Sequence, residues 1–138
     1  MKKFILLLST ALFLTFGMNS CSKQEVIDCK NTSGISLCET TWRKDSVLTG
    51  NDFRPAGDTT SFQFTNQPSN GEYVLKSYTN GGTDIGTWKI NNDSTLVYKT
   101  SPTSEQSFNK ITYLNSNGVE WILLKNQTNG QSKWRKIS

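Results

Sequence analysis

The chain has 138 residues, with 15 Lys and Arg against 11 Asp and Glu and no histidine. Without histidine, general acid–base and triad chemistry lacks its usual proton carrier and a zinc site lacks ligands, so no enzyme, metal or cofactor is expected. The net charge of +4 falls to +2 once Lys2 and Lys3 leave with the leader described next, and no basic run exceeds two residues, which gives no reason to expect a nucleic-acid partner.

Residues 1–20 have the three parts of a secretory leader: a basic start, an apolar centre from Phe4 to Phe16, and a small-residue exit. The centre is shorter than the roughly 20 residues of a membrane-spanning helix, so it targets the protein and does not span. The stretch Met18-Asn19-Ser20-Cys21 resembles the cleavage and acylation box of bacterial lipoprotein signal peptides. The resemblance implies a diacylglyceryl group on Cys21, cleavage before it, and a membrane anchor of two or more acyl chains such as palmitate. Ser22 resembles the sorting pattern of outer-membrane lipoproteins. The implied location is the cell envelope, lipid-anchored at the outer membrane, facing the periplasm or the surface.

Residues 21–38 read as a polar tether that ends in a stapled segment. Cys29 and Cys38 remain after Cys21 takes lipid. In an oxidising compartment that even remainder favours a Cys29–Cys38 bridge over two free thiols. Its short loop would contribute roughly 2–3 kcal/mol.

Residues 39–138 read as one β domain of eight strand-like runs separated by turn residues. The runs are 40–49 with Trp42 and Leu48, 60–65 with Phe62 and Phe64, 72–79 with Tyr73 and Leu75, 86–91 with Trp88 and Ile90, and 94–100 with Leu96 and Tyr98. Three more follow at 107–115 with Phe108 and Ile111, 119–125 with Trp121-Ile122-Leu123-Leu124, and 132–138 with Trp134. The separators include Asn70-Gly71, Asn80-Gly81-Gly82, Asn91-Asn92-Asp93, Asn117-Gly118 and Asn129-Gly130, and Asn-Gly supplies the positive φ angles of tight hairpins. Such short turns make an antiparallel meander. It closes as an eight-stranded up-and-down barrel or packs as a two-sheet β-sandwich. Connections in a meander alternate between ends. The longer ones, at 50–58, 80–84 and 101–106, would fall at one end and the tight ones at the other, which suits a cup with a mouth.

Gly86-Thr87-Trp88-Lys89-Ile90, followed by Thr95-Leu96-Val97-Tyr98, resembles the central hairpin of the lipocalin-like domains of Gram-negative lipoproteins. Trp42, Ile111–Leu114 and Glu120–Lys125 continue the similarity. The resemblance implies a lipocalin-like barrel that binds a small apolar or amphipathic ligand. Phe53 and Arg54 stand in the long first connection at the expected mouth and are the candidate ligand contacts. The alternative is an accessory or inhibitor lipoprotein with a filled core, which binds a protein or glycan partner through its loops or an exposed strand edge.

Overall fold

The computed structural model describes residues 36–138, and among them nine strands form and no helix. They are β1 (Thr40–Thr49), β2 (Asp52–Pro55), β3 (Ser61–Ser69), β4 (Glu72–Thr79), β5 (Gly82–Ile90), β6 (Thr95–Lys99), β7 (Ser107–Ser116), β8 (Val119–Asn126) and β9 (Gln131–Lys136). From β3 to β9 every strand pairs antiparallel with its sequence neighbours, and β1 joins the two ends by pairing with both β3 and β9. Eight strands thus close into the expected up-and-down barrel. The seam, with Trp42 opposite Lys136 and Val47 opposite Ser132, sets aside the sandwich.

Local chemistry sets the turns. Three Asn-Gly pairs adopt the positive φ angles required by two-residue hairpins: Asn70 (49°) and Gly71 (79°), Asn80 (49°) and Gly81 (85°), Asn117 (53°) and Gly118 (76°). Asn80-Gly81 turns so tightly that β5 begins at Gly82, where a longer 80–84 connection was expected. Gly86 has a different task. A Cβ there would lie 1.9 Å from the Lys99 carbonyl oxygen, so this residue of the Gly-x-Trp stretch is glycine because the end of β6 crosses against it.

Residue 53 was expected in a loop, but β2 is a strand. β1 pairs with β3 only through Arg43↔Ser61. Beyond that point the same edge of β1 is open, and a tight turn at Gly50-Asn51 folds β2 back onto it, Ser46↔Pro55 through Thr49↔Asp52. Four residues ending in proline carry no legible alternation. They make the kind of short, proline-blunted edge that resists further pairing.

Inward-facing positions alternate along the strands as their period of two demands. The core comprises Trp42, Phe62, Phe64, Tyr73, Leu75, Trp88, Leu96, Ile111, Ile122, Leu124 and Trp134. Leu37 joins them, fully buried, so the packed unit begins two residues before the expected boundary at 39. Its carbonyl accepts from the Thr40 amide at 3.2 Å and from the Thr40 hydroxyl, which fastens the turn that tucks it under the barrel. Each buried indole N–H donates: Trp42 to Thr40 Oγ1 (2.8 Å), Trp88 to the Thr65 carbonyl (3.0 Å) and Trp134 to Ser132 Oγ (2.7 Å). Burial of these rings therefore leaves no donor unmet.

β3 breaks register between Phe64 and Pro68, where Phe64 faces Leu75 and Pro68 faces Tyr73. Side chains satisfy the freed backbone. Thr65 Oγ1 donates to the Val74 carbonyl at 2.8 Å, and the Asn66 amide donates to Glu39 Oε1 at 2.8 Å. The irregularity also accommodates Pro68, which has no amide to give to the ladder.

Candidate functional site

The two ends of the barrel differ. At the end where β1 starts and β9 finishes, the connections are Asn70-Gly71, 91–94 and Asn117-Gly118, and Leu37 fills the space beneath the rings. At the other end lie the Gly50-Asn51 and Asn80-Gly81 turns and the connections 56–60, 100–106 and 127–130. Of the longer connections expected at this end, 101–106 forms as one, whereas 50–58 contains the Gly50-Asn51 turn and β2, and 80–84 closes as the Asn80-Gly81 turn.

The open end holds a cavity of about 380 Å³, near the lower limit of small-molecule sites. Its floor is aromatic. Phe62 stacks on Trp134 with centroids 4.6 Å apart and meets Tyr98 edge-on at 5.1 Å. Its walls carry Lys44, Thr60, Asn109, Asn126 and Ser132, with Leu48 and Leu124 as apolar members. Of the lining residues only Lys44 bears a formal charge at neutral pH.

Position on the barrel explains each of these side chains. Lys44 lies just before a β1 bulge, where the pairing passes from Lys44↔Trp134 to Ser46↔Lys133. Its Nζ sits 5.7 Å from the Trp134 ring centroid and donates to Asp58 Oδ2 at 2.9 Å. Asp58 belongs to the 56–60 connection, where its Oδ1 also accepts from the Thr60 amide at 3.2 Å. The hydrogen bond from Lys44, helped by Thr60, holds the Asp58 carboxyl below its ordinary pKa of 3.8. Burial pushes the Tyr98 hydroxyl above its ordinary value of 10.0, a rise partly offset by hydrogen bonding with Ser107 and Asn109. Tyr98 is therefore neutral at any physiological pH. The cavity offers a ligand the half-buried side chains of Val47, Leu48 and Tyr98, several neutral hydrogen-bonding groups and one cation, which Asp58 engages.

Phe53 and Arg54 do not line this cavity. Both are exposed on β2, paired with Leu48 and Val47 respectively, and it is those β1 partners that reach the lining. The charged cavity residue that sequence reasoning missed is Lys44. It carried a weak signal, since a lysine between Trp42 and Ser46 on one face of an alternating run breaks the apolar pattern. Cys21, the expected lipidation site, and Cys29 lie outside the described residues. Cys38 is disulfide-bonded.

No protein-family model, curated protein or solved structure matches the chain.

Proposed function

We propose that the protein is a lipid-anchored cell-envelope lipoprotein whose barrel holds a small amphipathic molecule at its open end. The observation that carries this reading is the cavity of about 380 Å³ with an aromatic floor and Lys44 in its wall. A ligand with a flat or aliphatic body would pack against Val47, Leu48 and Tyr98 above the buried rings, and an anionic or hydrogen-bond-accepting group would meet Lys44. Asp58 holds that ammonium in place, and an incoming anion would compete with it for the same donor. The leader and the Met18-Asn19-Ser20-Cys21 box support the envelope location, and the barrel fits the lipocalin-like resemblance.

The test is native mass spectrometry of protein purified from its own envelope. A reproducible mass excess of a few hundred daltons, lost on denaturation and lost in Lys44→Met, is the expected result. A clean apo mass under conditions that preserve the fold would overturn it. Attention would then turn to the accessory-protein alternative, and co-purification of an envelope protein or glycan would read that out.

A further inference from the structure

The outer wall at the closed end of the barrel carries a row of cations beside exposed apolar side chains. Register places Arg43 on β1 opposite Arg135 on β9, Arg135 opposite Trp121 on β8, and Trp121 opposite Leu114 on β7. Their strand neighbours Trp42, Trp134 and Ile122 are buried inside, so by alternation this row lies on the outer wall. Like charges directly opposite one another destabilise a sheet. Neither arginine has a carboxylate partner among the described residues. Lys133 adds a third cation, standing 4.1 Å from the Trp121 ring centroid.

The rim below this row is apolar. Leu114 is 39% exposed, Val119 36% and Ile137 49%. Val119, Ile137 and Arg135 line one groove, together with Glu120 and Lys136. Glu120 is already engaged, accepting from Lys136 Nζ and the Tyr113 hydroxyl, both at 2.7 Å, so it does not neutralise the arginines. The chain that precedes Ser36 also joins the domain here, because β1 begins at this end.

We infer that this closed end docks on an anionic lipid bilayer. Arg43, Arg135 and Lys133 meet head-group phosphates, while Leu114, Val119 and Ile137 sit at the boundary between head groups and acyl chains. A small soluble anion would satisfy the arginines but leave the aliphatic rim exposed. A bilayer surface takes both, since such binding combines buried apolar area with attraction to anionic lipid. Docked in this way, the cavity at the opposite end faces away from the membrane. The inference does not depend on lipid at Cys21.

The experiment uses chain beginning at Ser22, which lacks both leader and acylation site. All described core residues lie between Leu37 and Trp134, so this chain keeps the whole folded unit. Flotation is measured with vesicles of phosphatidylcholine alone and with phosphatidylglycerol added at about one lipid in three. The expected result is binding to the anionic vesicles only, and loss of binding at high salt. A single basic residue near such a surface contributes about fivefold, so Arg43→Gln with Arg135→Gln should weaken partition roughly twentyfold to thirtyfold. Val119→Ser with Ile137→Ser should also weaken it, while Lys76→Gln on β4, across the barrel, leaves it unchanged. Circular dichroism melts report whether each variant is folded. Equal flotation with both vesicle types, no flotation at low salt, or a folded double arginine variant that binds like the parent would overturn the inference. So would a parent that ignores vesicles but associates with itself or another protein through this rim.

Discussion

The closed and open ends of the barrel are built from the same kind of side chain yet do different things. A continuous series of rings runs between them. Tyr73 meets Trp88 at 5.2 Å, Trp88 meets Phe64 at 5.1 Å, Phe64 meets Phe62 at 6.0 Å, and Phe62 stacks on Trp134 at 4.6 Å. At the closed end, Leu37 completes the packing from outside the strands. At the open end Phe62 and Trp134 are also buried, but they are stacked on each other and ringed by the polar groups Lys44, Thr60 and Asn109 rather than sealed by an apolar segment. In a small barrel, then, a buried ring can be sealed by an apolar segment at one end and by polar side chains at the other.

That comparison can be broken hardest at the closed end. Trp88→Ala removes a fully buried indole touching two rings and should cost about 3–5 kcal/mol, read as a lowered denaturant midpoint. Leu37→Ala should cost about 2–5 kcal/mol, although the residue lies outside every strand. A loss below about 1 kcal/mol would show that the turn before β1 does not seal the barrel. Gly86→Ala forces a methyl onto the Lys99 carbonyl and should cost on the order of 1–3 kcal/mol, measured in the same way.

The open end should answer differently. Lys44→Met exchanges a cation for an apolar chain of similar length over Trp134. It should change stability by less than about 1 kcal/mol, because the Asp58 partner is partly exposed and such pairs contribute little. The same change should abolish ligand retention, so the two readouts separate. The smallest effect concerns acid. Asp58 has its pKa depressed in the folded state, so the stability it contributes is fully present above the ordinary aspartate value. It is lost as pH falls through the lower, folded value. Asp58→Asn should lower stability slightly at neutral pH and flatten its dependence on acid below about pH 4.

Much of this architecture was legible because turn chemistry is local. Asn70-Gly71, Asn80-Gly81 and Asn117-Gly118 need positive φ whatever surrounds them, and they placed three hairpins directly. Alternating runs such as Phe62 and Phe64 placed the inner face. β2 was not legible, because its pairing depends on how far β1 overshoots β3, a tertiary quantity that Asp52-Phe53-Arg54-Pro55 does not encode. The site was only half legible. The longer connections marked the end that holds the cavity, but the lining comes from β1, β3, β6, β7, β8 and β9 across the closed sheet. Which residues share a cavity there depends on closure and on the bulge after Lys44.

The β1–β9 seam also bears on the order in which the domain assembles. The first strand of the barrel and the last hold each other, Trp42 against Lys136, and the Thr41 amide donates to the carbonyl of Ser138 at 2.8 Å. A chain emerging from its N-terminus can form the hairpins from β3 to β8 as they appear, but the ring cannot close until β9 is free. Pairing of such sequence-distant strands is slow, on the order of milliseconds to seconds. Until then one edge of β1 and one edge of β8 are open to pairing with other chains. The interval before closure is therefore when this protein is most exposed to misassembly.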